Sequence, residues 1–409
     1  MLASLRAARY PVEVGLLLAL CFFLPLLEAP KNLLWLAYVV TWAVNRTRSR
    51  DWGGRWDRWD TLIAAWIASG FLVAAFAGLD GQQWRGAGDL LRYGSVLWLA
   101  KRAGYAPREL RWVLGTLVAS TVIGLAVGYA RMWTGIGKSG MLQLHSVGHV
   151  NHTAIYIAIM LGVCAAWVFA RWKAWRAGTR AVALAVGALV LVSLIVTASR
   201  GAIGIGLAML VVLAAAWWPR SRAPAFISGI VVAMVVVIAT FGGAEVMQKQ
   251  EKNIAAENVL AYRDGVWRMA LAAWERHPWF GVGMDNYSRI TVERVKTWRA
   301  EAGKPYDPGE YFVSSHAHSL YVNTLAERGA VGAAILAAVL LAWAAYLVRY
   351  RPRRESPDEE WLLWGAAAGA WIVTTGVGLA NTTLHHEHGM LAALLLGLWL
   401  SRLPARRAS

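Results

Sequence analysis

The sequence predicts an all-α, polytopic membrane protein of about twelve transmembrane helices, with one large helical loop outside the bilayer. Three observations carry that expectation. Of 409 residues, 58% are hydrophobic and only 16% charged, and the mean hydropathy is +0.43, too apolar for a soluble protein of this size. Apolar runs able to cross roughly 30 Å of hydrocarbon as helices of about 20 residues recur along the chain. Lys and Arg gather in alternate loops. The runs are continuous rather than alternating, which excludes a transmembrane barrel and leaves helices, whose backbone polar groups are paired internally.

Taken in order, the candidate spans are 12–27, 33–44, 62–79, 90–100, 112–130, 153–170, 181–198, 203–218, 225–241, 331–348, 361–379 and 390–400. The first reads as retained, because Glu28-Ala29-Pro30-Lys31 lacks a small-x-small cleavage pattern. Three units follow: spans one to nine in 1–241, a large loop in 242–330, and spans ten to twelve in 331–409. The loop's polar part, 242–315, is the one soluble-sized stretch of mixed charge. Within it Val259, Tyr262, Val266, Ala270 and Trp274 recur at three- and four-residue spacing. That period predicts an amphipathic helix over 257–276, ended by His277-Pro278.

The net charge of +17 raises nucleic acid as a partner, but its placement argues otherwise. Arg46, Arg48, Arg50, Arg55 and Arg58 fill one loop, Lys101, Arg102, Arg108 and Arg111 the next on that side, and Arg171, Lys173, Arg176 and Arg180 a third. Arg220, Arg222, Arg349, Arg351, Arg353, Arg354 and Arg402 continue the series. Cytoplasmic loops carry such an excess, so these loops and both termini are expected inside, with Lys31, Arg85 and Lys138 among the few cations outside. The charge therefore encodes topology, and no nucleic-acid partner is expected. Cys21 and Cys164 lie in apolar runs, so neither a disulfide framework nor a zinc cluster of thiolates is available. Several Trp residues near span ends, Trp217 and Trp218 among them, fit the interfacial belt, while Trp267, Trp274, Trp279 and Trp298 in the loop either pack or stack on sugars.

All nine histidines fall on the outer side of this topology. Histidine moves protons near neutral pH, so the outer face is where proton transfer is expected. The sharpest pattern is His318-Ser319, nine residues, then Gly329-Ala330-Val331-Gly332, where the large loop re-enters the membrane. Ser199-Arg200-Gly201 sits in a tight outer turn, and Tyr262-Arg263-Asp264 opens the loop helix that runs into Pro278-Trp279-Phe280-Gly281-Val282-Gly283. On these motifs the stretch 196–332 resembles the O-antigen ligase and polymerase superfamily. The position of the large loop before the last three spans looks most like the ligase that joins O-antigen to lipid A-core.

The resemblance implies a GT-C-like arrangement in a bacterial inner membrane and a periplasmic active site. It also implies undecaprenyl diphosphate-linked O-antigen as donor and lipid A-core as acceptor, with no cofactor. The residues carry part of this by themselves. Arg200, with almost no loop to lift it into water, wants an anion, since arginine near the membrane interior costs at least about 2.5 kcal/mol unless paired. A lipid diphosphate supplies one, and guanidinium matches phosphate in bidentate geometry; snorkelling to headgroups or pairing with a loop carboxylate is the alternative. Arg263 adds a second cation where a departing diphosphate gains charge, or else pairs with Asp264 or Glu257 along its helix.

His318 is the expected general base for an acceptor hydroxyl, with direct displacement and inversion; its alternative is capping or packing. His316 is the rival base, and Ser319 a further substrate contact. Gly329 and Gly332 suit close helix approach. There is no Asp-x-Asp pair, and His385-His386-Glu387-His388 is not expected to hold a metal, since adjacent histidines do not converge as i, i+4 pairs do. A polymerase, a protein O-oligosaccharyltransferase or, in another class, a lipid-linked glycan transporter are the alternatives. A transporter would bury charges at the midplane of broken helices, and mid-span charges here are scarce.

Overall fold

The structure is a computed structural model, and it describes residues 5–403 apart from 6, 136–140, 219, 225–226, 230 and 232–262. The ninth expected span, the first part of the large loop, Tyr262 and Lys138 therefore lie outside the described residues, wholly or in large part. The others are helical where spans were expected. They form α1 (Pro11–Phe23), α2 (Glu28–Ser49), α3 (Arg58–Phe76), α4 (Gln83–Arg102), α5 (Pro107–Trp133), α6 (Val150–Arg171), α7 (Ala177–Val196) and α8 (Arg200–Trp217). After the undescribed stretch come α9 (Arg263–Arg276) and α10 (Val292–Glu301) in the loop, then α11 (Leu320–Arg349), α12 (Asp358–Val377) and α13 (His386–Leu400). Six of them, α3, α5, α6, α7, α8 and α11, are long and apolar enough to cross a bilayer. The chain is thus a multi-pass membrane protein.

Helix α6 is the hub. Nearly every residue from Thr153 to Ala170 is buried, because α5, α7, α8, α12 and α13 all pack on it. Small residues let the backbones close: a Cβ on Gly162 would come within 3.2 Å of the Gly369 Cα on α12. A second group, α3, α4 and α11, joins this hub where α4 lies on α13.

One end of the bundle is tied by ion pairs. Asp57 caps α3 by accepting from the Trp59 and Asp60 amides, and Asp60 returns the bond to the Asp57 amide at 2.8 Å. The same Asp60 receives Arg102 through two bonds of 2.9 and 2.7 Å and Lys101 at 2.9 Å. Arg46 donates to Glu13 at 3.0 Å; Arg171 and Arg220 meet Asp358. The arginines read as topology markers are, in these cases, buried or half-buried braces between helices.

Helix α11 is broken at Gly329, whose φ of 60° and ψ of −164° are non-helical. The break frees two carbonyls and two amides, and the Pro278–Gly283 segment takes all four. Val282 N donates to Ala326 O and Gly283 N to Glu327 O, both at 2.9 Å, while Ala330 N donates to Pro278 O at 2.7 Å and Val331 N to Trp279 O at 3.2 Å. A Cβ at Gly329 would sit 2.4 Å from the Trp279 carbonyl, so only glycine admits this approach. The Gly-x-x-Gly therefore serves less for the helix–helix contact expected of it than for seating the loop on a broken helix.

Candidate active site

The loop seated in this way carries the imidazoles. Residues 315–319 run from the loop into α11, and two bonds fix their course: the Ala317 amide donates to Asn323 Oδ1 at 2.9 Å, and Trp267 of α9 donates Nε1–H to the Ala317 carbonyl at 2.9 Å. Trp267 is thus a brace, and Trp274 likewise donates to the Pro278 carbonyl. Ser319, expected at the substrate, is buried; its hydroxyl accepts from the Val322 amide at 3.4 Å as N-cap of α11 and donates to the Gly378 carbonyl at 3.3 Å. Its place is in the frame that holds His318.

His318 adopts a left-handed φ of 50°, a strained conformation for a residue other than glycine. Its ring lies 4.2 Å, centroid to centroid, from that of His316. Burial pushes the His318 imidazole below its ordinary value, and the positive charge of Arg263 pushes it further. His316 is pushed down to about 4, by burial first and then by His318. Arg263, the first residue of α9, is itself lowered by burial and by the charge of Arg200, which opens α8 after the left-handed Ala198 turn. The structure therefore brings Arg200, Arg263, His316 and His318, from three separate stretches of sequence, into one electrostatic neighbourhood.

Next to them is a cavity of about 400 Å³. His316 lines it together with His149, His152, His385 and His386, and so do the carboxylates Asp89, Asp285 and Glu327 and the guanidinium of Arg328. Glu327 is held by the Tyr287 amide at 3.1 Å and by Asn323 Nδ2 at 2.8 Å, while Arg328 donates to Ser69 at 2.6 Å. None of these acidic or basic groups stood out for chemistry in the sequence, and His149 and His152 were marked only by the outer placement they share with the other histidines. Their i, i+3 spacing at the start of an apolar run is a further signal for the pair.

The expectation that His385 and His386 diverge is corrected. Leu384 and His386 both take left-handed φ values, 55° and 46°, and this turn sets the two rings 3.8 Å apart. His152 on α6 faces them, with ring centroids at 6.0 Å from His385 and 4.9 Å from His386. His388 stacks on His152 at 5.2 Å and shares a 2.9 Å hydrogen bond with its Nδ1. A buried ion pair between Lys31 of α2 and Glu387, which also receives Ser146 Oγ at 3.0 Å, anchors the start of α13. Of the nine histidines, only His145 and His277 stand apart, the first exposed in a turn and the second packed on Trp298.

Against known proteins, residues 185–337 match the family described as O-antigen ligase. This is the family that the motifs resemble, and the matched segment holds Arg200, Arg263, His316, His318, Ser319 and Gly329. The match supports a glycan-transfer function of ligase or polymerase type. No curated protein matches the chain.

Proposed function

We propose, from the O-antigen ligase family of residues 185–337, that the chain transfers a preassembled O-antigen from undecaprenyl diphosphate to a lipid A-core sugar. The reaction takes place at the periplasmic face of a bacterial inner membrane crossed by about twelve helices in a GT-C-like arrangement. The observation that carries this reading is the meeting of the His318 imidazole, its titration lowered by burial and by the Arg263 charge, with the guanidinium groups of Arg263 and Arg200 beside a cavity lined in part by imidazoles and carboxylates.

His318 removes the acceptor hydroxyl proton as that oxygen attacks the anomeric carbon. The new C–O bond forms on one face while the C–O bond to the diphosphate breaks on the other, so configuration inverts. The departing diphosphate carries the bonding pair, and Arg200 and Arg263 stabilise its growing charge. The displacement itself uses no metal and no covalent intermediate. His316, Ser319 and Trp267 hold the base in position, and His316 also faces the acceptor cavity.

Offering purified protein the lipid-linked glycan with lipid A-core, with a second lipid-linked repeat and with a serine peptide in turn tests the assignment. Lipid A-core should be glycosylated. Product on the repeat alone would make the chain a polymerase, product on the peptide an oligosaccharyltransferase, and ion-coupled flux without transfer a transporter.

A further inference from the structure

We propose that His152, His385 and His386 form a binding site for one divalent transition-metal ion of the zinc class. The nitrogen donors of these three residues lie within 4.8 Å of one another, although they come from two stretches of chain more than two hundred positions apart, the start of α6 and the turn into α13. Around zinc, tetrahedral nitrogens at about 2.0–2.1 Å stand about 3.3 Å apart, so modest side-chain rotation closes the ring set onto an ion. Three neutral imidazoles without sulfur or clustered oxygen select zinc, nickel or copper over magnesium or calcium. With three protein donors, the fourth position is left to water or to a ligand oxygen from the cavity.

A further observation points the same way. Metal-binding histidines are held by a second group on the other ring nitrogen, and for an ion bound at Nε2 of His152 such a group is in place: His388, 1% exposed, bonds its Nδ1 at 2.9 Å. Bound through Nε2, His152 keeps its proton on Nδ1 and donates it to His388. The ion would pin the start of α6 to the turn before α13, both of which face the cavity, and it takes no part in the displacement at His318.

The test needs neither donor nor acceptor, so its outcome is separate from that of the transfer reading. Tag-free, chelator-stripped protein in detergent is titrated with Co²⁺, whose visible absorption reports tetrahedral nitrogen coordination. One equivalent should bind, be displaced by Zn²⁺, and raise the melting temperature. His386→Ala, at the exposed edge of the cluster, and His385→Ala should each abolish saturable binding; His388→Ala should weaken it by about 10- to 100-fold. His277→Ala should bind as the wild type does. Absence of a saturable Co²⁺ spectrum in the wild type overturns the proposal, as does unchanged binding in both His386→Ala and His385→Ala.

Discussion

The two ends of this helix bundle handle most of their polar groups differently, although the buried pair of Lys31 with Glu387 braces the His152 end as well. Helix α6, 22 residues long and so spanning roughly 33 Å, carries His152 in its first turn and Arg171 as its last residue. At the Arg171 end, charges meet opposite charges: Asp60 with Arg102 and Lys101, Glu13 with Arg46, Asp358 with Arg171 and Arg220. At the His152 end, seven imidazoles crowd together beside a cavity, and burial lowers the titration of two of them, His316 and His318. The lesson is that closed charge pairs hold the helices in register, whereas groups left open around a cavity are available for chemistry. Substitutions should divide the same way, into losses of stability at one end and losses of rate at the other.

Arg263→Gln gives the largest expected effect short of the base itself. Losing one cation aimed at the departing diphosphate should lower the transfer rate by about 100- to 1,000-fold, with the melting curve unchanged. The pH profile sharpens this. His318 works as a base when neutral and its titration lies below the ordinary 6.5, so wild-type activity should persist below that pH and fall as acidification protonates the ring. Removing the Arg263 charge lifts the titration, so residual activity should begin to fall at a higher pH than in the wild type. An acid limb that stays in place would break the link between the two residues.

At the opposite end, Asp60→Asn leaves Arg102 buried with its partner charge removed, which should cost about 3–5 kcal/mol. Thermal unfolding in detergent would register it, while the rate per folded molecule should hold. A rate loss without destabilisation would mean that the paired end is not merely a brace. The smallest effect is that of Ser319→Ala, which removes the α11 cap and should cost about 1 kcal/mol. As a positioning residue it should lower the catalytic rate more than the apparent acceptor affinity, and Ser319→Thr should restore most of it.

Much of this was legible in the sequence, for reasons of period and charge. Apolar runs marked every described helix of the bundle, although those at 33–44, 90–100 and 390–400 fell short of span length, and the His-Ser and Arg motifs marked three of the residues that share one electrostatic neighbourhood, Arg200, Arg263 and His318. What escaped depends on contacts that no local spacing encodes. Lys31 read as a loop cation, yet it is buried against Glu387 across the whole length of the chain. Gly329 read as a helix-contact residue because a break in a helix leaves no mark in hydropathy. His385 and His386 read as divergent because their convergence needs two left-handed residues, Leu384 and His386, at positions where nothing but tertiary structure dictates that conformation. Ser319 read as a substrate contact although its hydroxyl is engaged in capping.

The most direct test replaces the imidazole at 318 and leaves the frame intact. Purified wild-type, His318→Ala and His316→Ala proteins are compared for glycan transfer to lipid A-core, each alongside its own melting curve. The account predicts that His318→Ala loses at least about 100-fold in rate at an unchanged melting temperature, while His316→Ala keeps a measurable fraction of activity. Transfer by His318→Ala at the wild-type rate would contradict it.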